Sequence, residues 1–143
     1  MSSYPPLNTQ IIGQTESALG ALLEPLLADA GLTFQQWLVL TVTTASGGRT
    51  DRGQLVARIS GARKVDPTAV ESAIAELAAA GLAADTGPLA LTDSGRDVYQ
   101  RIRGAVDELN AELFAFPSED LATAGRVLSI VTARANAVLA RQA

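Results

Sequence analysis

The stretch VDPTAVESAIAELAAAGL (residues 65–82) carries a clear helix start at one end and a clear helix stop at the other. Asp66 can cap the helix with its side chain, and Pro67 suits the first helical position, where a missing N–H costs nothing. Gly81 can take the left-handed conformation that ends a helix. The helical spacing predicts an inward face made of Val70, Ile74 and Leu77. From Asp66 to Leu82 there are three acidic side chains and no basic one.

The residues just before this helix have the opposite charge. Five basic side chains and the single acid Asp51 give residues 49–64 a net charge of +4, in a chain whose net charge is −4. The five cations are Arg49, Arg52, Arg58, Arg63 and Lys64. A cluster of this kind marks a surface that contacts phosphate, although isolated surface cations that only aid solubility look the same in a sequence.

Composition indicates helices and excludes most enzyme chemistry. The 143 residues fit one domain, and aromatic residues make up only 4% of a chain that is 48% hydrophobic, which is typical of packed helices. The absence of Cys and His removes thiol nucleophiles, Ser-His triads and the common metal ligands. We therefore predict no catalytic residues, no metal site and no cofactor.

The segments before residue 65 read as three helices. Apolar residues recur at helical spacing from Leu7 to about Leu27, and Pro25 is expected to kink or end that helix. Thr33 can cap a second helix, which has Phe34, Trp37, Leu38 and Val42 on apolar faces. A turn at residues 46–48 follows, and Arg49 is expected in the same turn region before the next helix. A short helix, Arg52 to Ser60, has Asp51 as its cap. Arg63 and Lys64 are expected in a basic loop.

The segments after residue 82 predict a small hairpin and two long helices. Leu82–Ala84 and Leu89–Leu91 flank a turn of Asp85, Thr86, Gly87 and Pro88. A long helix follows from TDSG (residues 92–95) to Pro117, and a last helix follows SED (residues 118–120). Apolar residues repeat every three or four positions along both helices, as in coiled-coil seams. Such seams are more apolar than one small domain can cover, which favours a partner helix from a second copy.

Neither a secretion signal nor a membrane segment is indicated by the sequence. The N-terminus lacks a basic region followed by an apolar core, and there is no run of about 18 apolar residues. A cytoplasmic protein is the expectation.

The element order is that of a winged helix-turn-helix, a mostly α fold with a short β-hairpin wing. In this fold the helix after Asp66 presents its outer face to a DNA major groove. Arg49, Arg52, Arg58, Arg63 and Lys64 would then contact phosphates, while Thr68, Ala69 and Ser72 would touch base edges through hydroxyl or methyl groups. We expect residues 33–92 to form this unit and residues 7–30 and 93–143 to form dimerisation helices within one domain.

Four stretches resemble the multiple-antibiotic-resistance regulator (MarR) family: GLTFQQWLVL from Gly31, GQLVARIS from Gly53, VESAIAELAAAGL from Val70 and LALTDSGRDVYQRI from Leu89. The resemblance implies a homodimer whose two winged domains straddle a pseudo-palindromic operator in double-stranded DNA. It also implies that a small organic molecule can change the spacing of the domains. The chain departs from the family pattern in its wing tip, DTGP (residues 85–88), which has no basic residue.

These features predict a homodimeric transcription regulator, acting as a repressor and responding to a small-molecule effector. The rival interpretation is a winged-helix protein that has lost DNA binding and serves as a dimerisation or protein-interaction module. The acidic helix and the wing tip without a basic residue favour the rival, and the basic residues 49–64 oppose it. An enzyme is not expected.

Overall fold

The structure, a computed structural model, describes residues 3–142, which form six helices and a small sheet. The chain divides into two compact units, and the boundary falls between Val106 and Asp107, within the fifth helix. The elements are α1 (Thr9–Asp29), α2 (Phe34–Ala45), β1 (Arg49–Thr50), α3 (Arg52–Arg63), α4 (Pro67–Ala79), β2 (Ala83–Asp85), β3 (Leu89–Leu91), α5 (Asp93–Leu113) and α6 (Ser118–Gln142). The predicted mostly α fold with a winged helix-turn-helix is confirmed.

The core of the first unit forms where α2 packs against α3, α4 and β3. The predicted inward residues of α4 are all buried, and so are Leu55 and Ile59 of α3 and Trp37 of α2. Prediction was less accurate for the rest of α2: Val39 and Leu40 are fully buried, whereas Leu38 and Val42 are only partly buried. The reason is that α2 is enclosed by several elements, so a one-sided apolar stripe does not describe it.

Local capping explains where the helices of this unit begin and end. The Thr33 side chain and the Gln36 side chain form a reciprocal capping box at the start of α2. Asp51 accepts a hydrogen bond from the backbone N–H of Gln54 at 2.9 Å and so caps α3. After α4, Gly81 has φ of +76°, the left-handed stop that its position predicts.

Four boundaries differ from the sequence predictions. Helix α1 continues through Pro25 to Asp29, because the buried side chain of Leu27 holds the last turn against the core. Helix α3 continues past Ser60 to Arg63. Helix α5 ends at Leu113, so Phe116 lies outside it. The fourth difference is strand β1, which was predicted as part of a turn.

Strand β1 makes the wing a three-stranded antiparallel sheet in the order β1-β3-β2. Arg49 of β1 lies opposite Ala90 of β3, and Ala83 of β2 lies opposite Leu91. The first hairpin strand is shifted by one residue from its predicted position. Two residues of β1 carry too little pattern to reveal a strand, since their pairing depends on β3, some 40 residues later.

The second unit contains the end of α5 and the whole of α6. Within residues 118–142 no side chain is buried. The predicted apolar seam of α6 includes Leu121, Leu128, Val131 and Val138. These four side chains are 37–40% exposed.

Within residues 3–142 no single helix is long and apolar enough to span a membrane, and only α1 and α2 together, bent by 88°, have the length and composition. The same residues contain no group of three His, Cys, Asp or Glu side chains that could hold a metal ion.

The hydroxyl of Thr43 in α2 suggests a stabilising substitution. Thr43 is fully buried, and its Oγ1 has no hydrogen-bond partner among the described residues. Thr43→Val keeps the shape and removes the unsatisfied hydroxyl, so we expect the free energy of unfolding to rise by about 1 kcal/mol in urea denaturation. Thr41→Val is the control, because the Thr41 hydroxyl donates to the Trp37 carbonyl at 2.8 Å and its loss should give no gain. Equal effects in both variants would contradict this account.

Candidate nucleic-acid interface

The start of α4 is fixed by Asp66 and Thr68. One carboxylate oxygen of Asp66 accepts hydrogen bonds from the Thr68 backbone N–H at 2.9 Å and from the Thr68 hydroxyl at 2.7 Å. These bonds hold the pKa of Asp66 below its usual value of 3.8. The cap therefore contributes stability above that value and loses it as the pH falls through the lowered pKa of the folded state.

The exposed face of α4 carries the three residues predicted to touch bases: Thr68, Ala69 and Ser72. The Thr68 hydroxyl proton is already donated to Asp66, so Thr68 is left as an acceptor only. The Ser72 hydroxyl makes no hydrogen bond within residues 3–142 and is available to donate or accept. Glu71 and Glu76 are exposed on the same helix, which keeps its outer surface acidic.

Arg52, in the first turn of α3, is engaged by the wing. Its Nη1 forms an ion pair with Oδ2 of Asp85 at the end of β2, and the two side chains are 37% and 23% exposed. The sequence placed Arg52 correctly on α3 but gave no sign of this partner. Arg52 therefore connects α3 to the wing and is not an unengaged cation.

Arg63 is in α3 and not in a loop, which corrects the sequence prediction, whereas Lys64 lies in the turn between α3 and α4. Arg63 is the last residue of α3; its guanidinium lies 5.0 Å from the centre of the Phe34 ring and 3.7 Å from the Glu16 carboxylate of α1. Lys64 caps α3 in the left-handed conformation, with φ of 57°, and its Nζ donates to the Gly61 carbonyl at 2.6 Å. Both cations are therefore used within the fold, although both remain exposed.

Arg49 and Arg58 differ from the other three predicted cations in their lack of a partner within residues 3–142. Both side chains are exposed, and within residues 3–142 neither makes a side-chain hydrogen bond or an ion pair. Arg49 is in strand β1. Arg58 is on the exposed side of α3, although its sequence neighbours Val56 and Ile59 are buried. Of the five predicted cations, these two have no internal partner within residues 3–142 to give up before binding an added anion.

An open groove of about 530 Å³ lies between α3 and the start of α4. It is lined by Gly53, Val56, Ala57, Ser60, Gly61, Val65, Pro67 and Glu71. The small residues Gly53, Ala57 and Gly61 on α3 leave room in this groove, so a bulky polymer can approach the helix closely. Glu71 makes the α4 side of the groove acidic.

The aromatic residues that could have lined a ligand cavity have other roles. Trp37 is buried and stacks on Tyr99 of α5, with ring centres 5.0 Å apart. Phe34 is 38% exposed beneath Arg63, and Phe114 is 47% exposed in the second unit. Core packing therefore accounts for Trp37.

The fold and this surface define a winged helix-turn-helix protein. A sequence model described as a helix-turn-helix family matches residues 25–143, so the chain belongs to that family. Comparison with curated proteins gives no match.

Solved structures of MarR-family regulators share the fold. Ligand-free NadR is similar with a TM-score of 0.73 and 24% identity, covering 92% of this chain and 98% of NadR. Sco5413, a MarR family transcriptional regulator from Streptomyces coelicolor, has a TM-score of 0.70 and 21% identity, with coverage of 89% and 91%. The Mycobacterium tuberculosis MarR family protein Rv2887, in complex with DNA, has a TM-score of 0.61 and 25% identity, with coverage of 90% and 98%. The predicted MarR resemblance is confirmed in the fold.

Proposed function

We propose that the protein is a homodimeric DNA-binding transcription regulator that acts as a repressor in the cytoplasm. The two copies of α4 would enter major grooves about one helical turn apart, roughly 34 to 36 Å, on a pseudo-palindromic operator. The observation that carries the proposal is the pair of unengaged cations, Arg49 on β1 and Arg58 on α3, in the same unit as a capped helix whose outer face is exposed. Membership of a helix-turn-helix family and the likeness to DNA-bound Rv2887 support it.

In this proposal phosphate contacts supply the affinity, and α4 supplies little of it. Arg49 and Arg58 bind phosphates first, since no internal bond has to be broken. Arg52, Arg63 and Lys64 contribute less, because each already has a partner in the fold. Ser72 and Ala69 provide modest base discrimination through a hydroxyl and a methyl group.

The combined variant Arg49→Ala/Arg58→Ala should weaken DNA binding by at least about tenfold and make the salt dependence shallower. The reason is that each lost phosphate contact lowers the slope of log affinity against log salt by about 0.9. Fluorescence anisotropy with the duplex upstream of the protein's own coding region, titrated with salt, measures both quantities.

Two matched variants accompany this experiment. Arg101→Ala/Arg126→Ala makes the same charge change at exposed positions of α5 and α6 and should leave affinity nearly unchanged. Arg63→Ala/Lys64→Ala should lie between the two, because those cations are partly occupied within the fold. Full affinity in the Arg49→Ala/Arg58→Ala protein would refute the assignment of these residues, and a wild-type chain that binds no duplex would refute the function.

The homodimer is proposed from the second unit. Helix α6 has 25 residues, and its apolar side chains at three- and four-residue spacing stay more than a third exposed. A helix of this length gains most of its stability from packing an apolar face. A second copy would supply that packing and would place two DNA-binding units on one operator.

A small-molecule effector is the third part of the proposal. NadR has been solved in complex with 4-hydroxyphenylacetate and CouR from Rhodococcus jostii RHA1 with p-coumaroyl-CoA. We expect an effector to change the DNA affinity of the protein, with a coupling free energy of about 1 to 3 kcal/mol between effector binding and DNA binding. A set of aromatic carboxylates, screened by melting temperature and then by DNA affinity, tests this part separately.

The rival function is a dimerisation or protein-interaction module without DNA binding. It is favoured by the ion pairs that occupy Arg52 and Arg63 and by the acidic α4. The salt titration separates the two functions, since a module of this kind would show no salt-dependent DNA affinity.

A further inference from the structure

We propose that Asp85 of the wing competes with DNA phosphates for Arg52, so that the wing acts as an intramolecular restraint on DNA binding. This inference rests on the proposed DNA-binding function. Arg52 begins α3 and Asp85 ends β2, so the ion pair links the helix-turn-helix to the wing across 33 residues of sequence.

The chemistry of the pair makes competition direct. A guanidinium binds carboxylates and phosphates with the same forked arrangement of N–H donors. Asp85 presents Oδ2 to Nη1 of Arg52 and so occupies part of the guanidinium that could bind a backbone phosphate. A phosphate can approach because more than a third of the Arg52 side chain is exposed.

Charge in the wing supports the same conclusion. Within residues 83–91 the charged side chain is Asp85, and no basic residue is present. Strands β2 and β3 and the turn between them therefore add no cation to the candidate interface and occupy one that belongs to α3, whereas β1 supplies Arg49. Arg63 is held in a weaker version of the same arrangement, since Glu16 of α1 lies 3.7 Å from its guanidinium.

The restraint is weak because the Arg52 and Asp85 side chains are both partly exposed. Ion pairs between partly exposed side chains contribute little to stability, so DNA can displace Asp85 at a small cost. Removing the carboxylate charge should raise DNA affinity by about threefold per chain, or roughly tenfold for a dimer. It should also steepen the salt dependence, by about 0.9 in the log–log slope for each Arg52 that gains a phosphate.

The test is Asp85→Asn, which keeps the side-chain shape and removes the charge. Affinity is measured by anisotropy with a mixed-sequence duplex of about 30 base pairs, from about 20 to 150 mM potassium chloride, because phosphate contacts do not depend on sequence. Glu24→Gln is the control, since it makes the same charge change at an exposed residue of α1. Circular dichroism melts of each protein establish that the variants are folded.

A double-mutant cycle shows whether Asp85 acts through Arg52. In the Arg52→Gln background, Asp85→Asn should give no further gain in affinity and no change in salt slope. Unchanged or weaker binding by Asp85→Asn would overturn the inference, because Asp85 would then only hold the wing in place. A gain that persists in the Arg52→Gln background, or that Glu24→Gln reproduces, would overturn it as well. These results leave the proposed function intact, whereas failure of the wild-type chain to bind its upstream duplex refutes that function itself.

Discussion

Replacing Gly95 by alanine is expected to lower the free energy of unfolding by about 3 kcal/mol, because the added methyl group meets backbone. A Cβ at this position would lie 1.9 Å from the carbonyl oxygen of Leu82 and 2.9 Å from its carbonyl carbon. Two hydrogen bonds hold the neighbouring main chain in place: the Thr92 N–H donates to the Leu82 carbonyl at 3.2 Å, and the Thr92 hydroxyl donates to the Gly81 carbonyl at 2.6 Å.

The measurement is thermal and urea unfolding of the full chain. For a domain of this size the melting temperature should fall by roughly 6 to 12 °C. Gly104→Ala, later in the same helix, is the matched control, since nothing lies within 4 Å of its Cβ position. That variant should be more stable by about 0.4 to 1 kcal/mol, because alanine restricts the unfolded chain. A Gly95→Ala protein as stable as the wild type would show that α5 and Leu82 can separate freely.

A second large effect is expected at Leu128 of α6. Its side chain is 39% exposed and lies on the apolar stripe that a second copy would cover. Leu128→Glu would place a carboxylate in that interface twice, once from each chain, and should weaken the dimer by about three orders of magnitude. Sedimentation velocity over a range of concentrations measures the change.

Ala133→Glu is the control for this experiment, because Ala133 is exposed on the opposite side of α6. The control should remain a dimer. A Leu128→Glu protein with unchanged dimer affinity would exclude this face of α6 from the interface. A wild-type chain that sediments as a monomer would refute the homodimer altogether.

Local signals in the sequence predicted most of the fold. Asp51 and Asp66 cap the helices that their positions suggest, and Pro67 occupies the first turn of α4. The misses lie where distant residues decide the outcome. Strand β1 exists because β3 pairs with it, and α1 continues past Pro25 because its last turn is packed.

The same distinction applies to the candidate site. The eight residues chosen from the sequence all lie in β1, α3, α4 or the junction between the two helices. Their chemical state was not predictable, because the partners that occupy Arg52 and Arg63 come from the wing and from α1. Charge counting over residues 49–64 predicted a phosphate-binding surface but did not reveal that Arg52, Arg63 and Lys64 have partners within the fold.

The close approach of Gly95 to Leu82 also restricts how the winged unit can deform. Side chains can repack when helices slide, but two main chains already in contact cannot come closer. The start of α5 cannot shift toward the segment after α4, so a deformation of the unit must move these two segments together or apart.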